Sequence, residues 1–197
     1  MLYILIKYLL LPIVGLIMRP IVMGKENLLI RGKAIFVCNH ISMWDPVMMA
    51  MVSPRYIHFM AKAELFQGWL GNLFFRALFA FPVSRKHSDL GSVRNAMQVL
   101  EKGKVFGIFP EGKRTITDDL DDLEKGAAFL AIRSGAPVVP MYIRRDSFKK
   151  CRLVMAVGSP IFVGDIIAST PKSKLLDVFT DEISDAIHAL QTKVEAR

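Results

Sequence analysis

A histidine and an aspartate in one short run are the residues of this chain best suited to chemistry. His40 and Asp45 lie in the sequence NHISMWD at residues 39–45. Histidine titrates near neutral pH, so it can take a proton from a weakly acidic hydroxyl. The aspartate can accept the other ring N–H, which fixes the tautomer and stabilises the imidazolium that forms. The pair therefore predicts a general base with its orienting carboxylate, although Asp45 can also serve as a helix cap.

The nucleophile that would complete a hydrolase is missing from the sequence pattern. There is no G-x-S-x-G elbow, and Ser42 is too close to His40 in sequence to be predicted as the nucleophile. Cys38 would share a strand face with His40, but its apolar neighbours favour a buried, inert thiol. If no protein nucleophile belongs to the pair, the activated hydroxyl must come from a substrate. This favours a transferase that acts on an alcohol.

A second polar run, FPEGKRT at residues 109–115, follows another apolar stretch. Its glycine lets the backbone approach a ligand closely, and Arg114 offers a planar fork suited to phosphate. Glu111 can orient that fork or hydrogen-bond a substrate hydroxyl, and Lys113 adds a cation. The alternative is a polar surface turn with a local ion pair, because a phosphate site needs converging residues that a sequence does not show.

The elements that position these residues alternate between short apolar runs and helical patterns. This alternation predicts an α/β fold, a single layered domain with a mixed central sheet flanked by helices. A helix is expected to open with Asp45 as its N-cap and Pro46 as its first residue. Further elements are predicted as strands over 34–38, 57–61, 81–83, 105–109, 138–143 and 153–157, and as helices over 70–78, 88–103, 125–134 and from 170 onwards.

Functional sites in such folds gather where strands end and loops begin. His40 follows the first predicted strand, and residues 109–115 follow a later one, so we expect them to share one site. Lys62 and Arg85 also follow strand patterns and are further candidate cations. Taken singly, each is more often a solvated surface charge.

Composition limits the classes of partner. The chain has 197 residues, 52% of them hydrophobic, a net charge of +8 and a pI of about 9.6. An apolar and basic chain favours an anionic membrane surface, phosphorylated small molecules or nucleic acid. Nucleic acid is the weakest of these, since no helix-turn-helix, zinc-finger or RNP pattern is present. The two cysteines and the four histidines have no metal-ligand spacing, and a reduced compartment is expected.

The N-terminal segment is apolar from residue 2 to residue 18 except for Lys7, and Arg19 follows it. The part without a charge, residues 8–18, is too short to span a bilayer comfortably, and Pro12 and Gly15 interrupt it further. The segment has no signal-peptide cleavage site. We predict a membrane-associating segment at residues 1–19, lying in the interface with Lys7 and Arg19 among the headgroups. A core helix and a tilted single span are the alternatives. Residues 20–197 are predicted to form the main domain.

These features together resemble the glycerolipid acyltransferase family typified by 1-acyl-sn-glycerol-3-phosphate (lysophosphatidic acid) acyltransferases. The family motif N-H-x-S-x-x-D is matched by residues 39–45, and F-P-E-G-T-R-S is similar to residues 109–115, where lysine and threonine replace the usual threonine and serine. Residues 62–65 with 81–85, and residues 138–141, resemble two further family regions. The resemblance covers roughly residues 20–165, with the motifs in the family's order.

The resemblance implies a role for each matched position. His40 would be the general base on the acceptor hydroxyl, and Asp45 would orient it and support it electrostatically. The phosphate of the acceptor would be held by the cations Lys62, Arg85 and Arg114. The site around it would be shaped by Glu111 and Gly112. No metal or other cofactor is needed, because a thioester is already an activated acyl donor.

The implied reaction transfers a fatty acyl group from acyl-CoA or acyl carrier protein to the free 2-hydroxyl of 1-acyl-sn-glycerol 3-phosphate, giving phosphatidic acid. Another acceptor such as glycerol 3-phosphate, or a non-catalytic lipid-binding role, is the alternative. We expect the protein on a phospholipid surface at the cytoplasmic face of the cell membrane, monotopic or peripheral, with no nucleic-acid partner. Five basic residues cluster near the end of the predicted strand 138–143: Arg144, Arg145, Lys149, Lys150 and Arg152. This cluster can bind the acyl donor or anionic lipid; the alternative is a solvated hairpin.

Overall fold

Apolar runs bounded by turns form a seven-stranded mixed sheet in the computed structural model, which describes residues 2–83, 90–112 and 125–196. The strand order is β1-β7-β6-β2-β5-β3-β4. All neighbouring strands run parallel except β6 and β7, which are antiparallel. The strands are β1 Ile21–Met23, β2 Ala34–Cys38, β3 Ile57–Lys62, β4 Ala80–Val83, β5 Val105–Ile108, β6 Val138–Ile143 and β7 Val154–Val157.

Helices cover both faces of this sheet. A π-helical turn, Ile6–Leu10, joins the first two helices, and short 3₁₀ turns occupy Lys25–Leu29 and Ala63–Phe66. Within the described residues the helices are α1 Leu2–Leu5, α2 Leu11–Met18, α3 Asp45–Val52, α4 Trp69–Ala77, α5 Leu90–Glu101, α6 Gly126–Ser134, α7 Val163–Ser169 and α8 Leu175–Glu195. The α/β class and the mixed sheet flanked by helices are therefore confirmed.

Side chains of β2 alternate between two hydrophobic clusters, as the pleat of a strand requires. Ile35 and Val37 pack in a cluster with residues of α5, α6, α7 and α8. Phe36 and Cys38 pack on the other face, with Met48 and Met49 of α3. Both faces of β2 are buried, which is why its sequence is a continuous apolar run. α8 contributes the apolar stripe expected from its periodicity: Phe179, Ile183, Ile187, Leu190 and Val194 are buried.

Most predicted elements lie within one or two residues of the observed ones. The strands predicted at 34–38 and 138–143 are observed with those bounds. Among the described strands and α-helices, two were not predicted, β1 and α7, and both are short. The start of α3 was misplaced by one residue: the helix begins at Asp45, and Trp44 occupies the N-cap position.

Residues 2–18 are helical and pack one side of the helix against α3. Tyr3 and Leu11 are buried in a cluster with Ala50, while Leu16 and Ile17 on the outer side are largely exposed. Within the described residues, no helix combines the length and apolarity needed to cross a membrane. The segment is thus a third layer outside α3, with an apolar outer surface.

Lys7 corrects one expectation about this segment. Its side chain is only 9% exposed, and Nζ donates to the carbonyl oxygens of Ser53 at 2.7 Å and Arg55 at 2.8 Å. These carbonyls follow the C-terminus of α3, where a cation complements the helix dipole. Burial lowers the pKa of Lys7 to about 8. The prediction that Lys7 lies among lipid headgroups is wrong, whereas Arg19 is exposed and its contact with headgroups stays a prediction.

Candidate functional site

The polar residues singled out in the sequence gather at one edge of the sheet. β2, β3, β5 and β6 run in the same direction, so their carboxyl ends share an edge. His40 follows β2, Lys62 ends β3, Glu111 follows β5, and Arg144 follows β6. We refer to this edge as the catalytic edge, because it carries the candidate general base. The expectation that residues from the first strand and from residues 109–115 meet is confirmed by a direct hydrogen bond between His40 and Glu111.

His40 and Asp45 form a hydrogen-bonded pair. The distance from His40 Nδ1 to Asp45 Oδ2 is 2.8 Å, and the same oxygen accepts the backbone N–H groups of Ile41 and Ser42, each at 2.7 Å. Asp45 is fully buried, and 17% of the His40 side chain is exposed. Because several donors converge on one oxygen, the carboxylate has a fixed position and fixes the imidazole in turn.

The cap expected of Asp45 is not formed. Its helix has no side-chain hydrogen bond at its start, because the carboxylate turns back to the residues that precede α3. Oδ1 is buried without a hydrogen-bond partner among the described residues. Asp45 is therefore used to shape the turn that carries His40, and the structural alternative of a simple helix cap is excluded.

The imidazole of His40 also stacks on Phe109. Their ring centroids lie 4.2 Å apart at an interplanar angle of 21°, and Phe59 stacks behind Phe109 at 6.1 Å. Gly107 makes room for Phe59, since a Cβ atom at that position would lie 2.4 Å from its ring. With its Nδ1 bound to Asp45 and its face against Phe109, the ring keeps Nε2 for an incoming group.

Glu111 holds the backbone of His40. Its Oε1 accepts the His40 N–H at 3.0 Å, and the residue is 6% exposed. The turn that presents it is closed by a hydrogen bond from Gly112 N–H to the carbonyl of Phe109 at 3.1 Å. Gly112 has a φ of +61°, a backbone conformation that favours glycine. Glu111 thus has a positioning contact that the sequence did not predict.

Asn39 fixes the strand end from which His40 leaves. It is fully buried, its Nδ2 donates to the Ile143 carbonyl at 2.9 Å, and its Oδ1 accepts the Ile143 N–H at 2.7 Å. This two-way amide contact joins the end of β2 to the end of β6 and satisfies both backbone groups there. The only sequence signal for it was the presence of asparagine in the run at residues 39–45.

The two candidate nucleophiles near His40 are Cys38 and Ser42, and neither side chain hydrogen-bonds to the imidazole. Cys38 is fully buried, burial raises the pKa of its thiol, and Sγ lies 3.5 Å from Asn39 Oδ1. The thiolate form is therefore disfavoured, as the apolar neighbours of Cys38 indicated. Ser42 Oγ accepts the Trp44 N–H at 3.3 Å, a local contact that supports the turn between His40 and Asp45.

The predicted phosphate-binding cations are only partly described. Lys62 lies at the catalytic edge, half exposed, with Nζ 3.2 Å from Glu64 Oε1. Arg85 and Arg114 lie outside the described residues. The structure thus brings His40, Asp45, Glu111 and Gly112 together, and it places Lys62 on the same edge in an ion pair of its own.

The basic cluster forms the turn between β6 and β7, residues 144–153. Asp146 pairs with Arg144 at 2.5 Å and with Lys150 at 2.6 Å, so part of the positive charge is compensated within the turn. Lys149 and Arg152 are exposed. Because this turn follows β6, it lies at the catalytic edge.

Comparisons with known proteins relate most of the chain to one family. The family model described as Acyltransferase matches residues 19–144, more than half of the chain. The 1-acyl-sn-glycerol-3-phosphate acyltransferase of Bacillus subtilis is 32% identical over 88% of this chain and 89% of its own length. The human 1-acyl-sn-glycerol-3-phosphate acyltransferase beta is 31% identical over 78% of this chain and 56% of its own length.

The fold has a solved counterpart. The crystal structure of the 1-acyl-sn-glycerophosphate (LPA) acyltransferase PlsC from Thermotoga maritima superimposes with a TM-score of 0.69. The match covers 91% of this chain and 79% of that chain at 20% sequence identity, so it shows a shared fold.

Proposed function

The chain belongs to the acyltransferase family, and from that premise we propose that it acylates the free 2-hydroxyl of 1-acyl-sn-glycerol 3-phosphate to give phosphatidic acid. The observation that carries this proposal is the pair formed by His40 and Asp45, held 2.8 Å apart. Among the described residues, no serine or cysteine side chain hydrogen-bonds to His40; Ser42 Oγ accepts the Trp44 N–H instead. Such a pair activates a hydroxyl that a substrate brings. The relatives described above carry the name of this activity.

The reaction follows from the geometry of the pair. Asp45 Oδ2 accepts a hydrogen bond from the Nδ1–H group of His40, so in the neutral ring Nε2 is unprotonated and takes the proton of the acceptor hydroxyl. The hydroxyl oxygen forms a bond to the thioester carbonyl carbon, and a tetrahedral oxyanion results. The carbon–sulfur bond then breaks, and the thiolate leaves with the proton from Nε2. Asp45 stabilises the imidazolium between the two proton transfers, and Glu111 keeps the backbone of His40 in place.

The phosphate of the acceptor is proposed to bind the cations Lys62, Arg85 and Arg114. Lys62 supports this by its position at the end of β3, on the edge that carries His40. Gly112, with its positive φ, lets the backbone approach the same ligand closely. A lysophosphatidic acid seated this way would present its 2-hydroxyl to Nε2 of His40.

The acyl donor is proposed to be acyl-CoA or acyl carrier protein. Both donors are strongly anionic, and the chain carries a net charge of +8. The exposed Lys149 and Arg152 of the basic turn are available at the catalytic edge for a phosphate or a carboxylate. No other cofactor enters the proposal, since a thioester needs no further activation.

Residues 1–19 are proposed to bind a phospholipid surface, at the cytoplasmic face of the cell membrane, with residues 20–197 as the catalytic domain. The support is an apolar outer surface on a segment that packs against α3: Ile4, Leu5, Tyr8, Leu9, Leu10, Ile13, Leu16 and Ile17 are each at least 48% exposed. Soluble proteins rarely expose so large a contiguous apolar surface. An interfacial segment would hold the enzyme at the bilayer surface, where the lipid acceptor reaches it by lateral diffusion.

The test is product identification with purified protein in detergent micelles. Lysophosphatidic acid and glycerol 3-phosphate are each offered with an acyl-CoA and with an acyl carrier protein thioester. We expect phosphatidic acid from lysophosphatidic acid, and the faster donor identifies the physiological class. His40→Ala is expected to lose the product, whereas His188→Ala, in α8 outside the site, retains it. A wild-type protein that acylates neither acceptor from either donor would contradict the proposed function.

A further inference from the structure

α4 presents its apolar side chains to the outside of the protein. None of its nine residues, all of them described, is buried. Trp69 is 75% exposed, Leu70 63%, Leu73 61% and Phe74 46%. A helix on the surface of a soluble domain normally turns its apolar stripe towards the core. In α4 the stripe faces outwards, which indicates a partner surface.

The position of α4 relates this stripe to the catalytic edge. β3 ends there at Lys62, and α4 begins seven residues later, with Trp69 as its first residue. Trp44, in the turn between His40 and Asp45, is 56% exposed. These are the only two tryptophans of the chain. Tryptophan is highly buried in most soluble proteins and is enriched at membrane–water interfaces, so two exposed indoles near one edge point to lipid.

The chain that leaves α4 packs against the N-terminal segment. Phe79, just after α4, contacts Tyr3 with ring centroids 5.0 Å apart, and Leu78 packs in the same cluster. The residues directly after α4 therefore meet the N-terminal segment, in a cluster that also contains Ala50 of α3. A flat apolar partner that contacts α4 or the N-terminal segment is expected to contact the other.

We propose that α4 is a second membrane-binding element, whose Trp69, Leu70, Leu73 and Phe74 enter the interfacial region of an anionic phospholipid bilayer beside Trp44. The inference rests on the proposed function, because the acceptor of that reaction is a bilayer lipid. Charge agrees with this partner: the chain is basic, and Arg76 near the end of α4 is exposed to meet headgroups. Contact at both the N-terminal segment and α4 would orient His40 towards the lipid.

Tryptophan fluorescence can test the proposal directly, because each indole can be isolated by one substitution. Trp44→Phe leaves Trp69 as the only tryptophan, and Trp69→Phe leaves Trp44. Each full-length variant is added to vesicles of phosphatidylglycerol and phosphatidylcholine, with and without brominated acyl chains, which quench a nearby indole. We expect quenching in both variants. A Trp69 signal that brominated lipid leaves unchanged, while the protein is bound to the vesicles, would overturn the proposal.

A charge on the stripe gives the second measurement. Leu73→Glu should weaken vesicle affinity by at least roughly tenfold, because an exposed leucine that enters lipid contributes about 1.5 kcal/mol or more. The matched control is Leu90→Glu, at a leucine of α5 that is 79% exposed, since α5 packs on the other face of the sheet. Circular dichroism verifies that both variants fold.

The remaining outcomes separate this proposal from the proposed function. Equal vesicle affinity for Leu73→Glu and Leu90→Glu would contradict a lipid-binding α4. So would a dimer that Leu73→Glu dissociates without any change in vesicle affinity, since the stripe would then bind a second copy. If the wild type does not bind vesicles yet forms phosphatidic acid in detergent, the membrane proposal fails and the acyltransferase function stands.

Discussion

Among the described residues, two histidines stack on phenylalanine rings, and they lie near opposite edges of the sheet. His40 lies 4.2 Å from Phe109 at the catalytic edge, and His58 lies 4.9 Å from Phe79 near the amino end of β3. His40 contacts the carboxylate of Asp45. His58 is 9% exposed, and its Nδ1 has no hydrogen-bond partner among the described residues.

The environments of the two rings differ in charge more than in packing. Burial, together with the positive charges of Lys104 and Lys102, lowers the pKa of His58 to about 4. A ring that stays neutral at pH 7 and has no carboxylate beside it cannot accumulate the imidazolium that acyl transfer requires. Stacking on phenylalanine therefore shows only that a histidine is well packed. The buried carboxylate of Asp45 is what distinguishes His40 as a candidate base.

The largest expected effect comes from removing that carboxylate charge. Asp45→Asn should lower kcat by about 10²–10⁴-fold, because the Nδ1 proton loses its acceptor and the imidazolium loses its counter-charge. The measurement is the rate of phosphatidic acid formation at saturating substrates. Asp177→Asn, at an exposed aspartate paired with Lys125, is the control and should keep the wild-type rate. A wild-type rate for Asp45→Asn would remove the distinction between the two histidines.

A smaller effect is expected at Glu111. Glu111→Ala should lower kcat by roughly tenfold and the free energy of unfolding by about 1–3 kcal/mol, because the His40 N–H loses its buried acceptor. Glu111→Gln keeps an oxygen that can accept this N–H and should recover most of both losses. Activity assays and urea unfolding of the two variants provide the test. Equal losses in both would show that the charge of Glu111, and not its hydrogen bond to His40, is required.

Much of this arrangement was readable from the sequence because it is local. The strand 34–38, the helix after it and the run 39–45 between them predicted that His40 and Asp45 meet, and they do. The direction of the Asp45 carboxylate was not readable, since a side chain at a helix start can turn either to its own helix or to the preceding turn. Here the N–H groups of Ile41 and Ser42 determine the direction.

The contacts that the sequence did not predict are distant along the chain. Glu111 meets the His40 backbone only because β5 lies next to β2, and the order of strands in a sheet is not encoded in the periodicity of each strand. Lys7 was misread for a similar reason. A lone cation in an apolar segment indicates a headgroup contact unless the carbonyls it binds, 46 and 48 residues away, are known.

The smallest expected effect on turnover belongs to His58. His58→Phe should change kcat by less than about threefold, because the replacement keeps the stack on Phe79 and touches no reacting group. Its effect is on acid stability instead. The folded pKa of about 4 lies below the ordinary value of 6.5, so the unfolded chain binds the proton first as the pH falls.

The wild-type protein should therefore lose free energy of unfolding between pH 7 and pH 4, on the order of 2–3 kcal/mol from this group. His58→Phe should lose less over the same interval. Urea unfolding of both proteins at several pH values measures the difference. Parallel curves for the two proteins would show that His58 is not the buried neutral ring described here, and a large fall in kcat would place it in the reaction.

The most direct test of the central claim, that His40 is the base, is chemical rescue of His40→Ala with free imidazole. The rate of phosphatidic acid formation is measured as the imidazole concentration rises. The account predicts a rate lowered by about 10²–10⁴-fold without imidazole, and an increase in proportion to neutral imidazole. Turnover by His40→Ala at the wild-type rate in the absence of imidazole would contradict it.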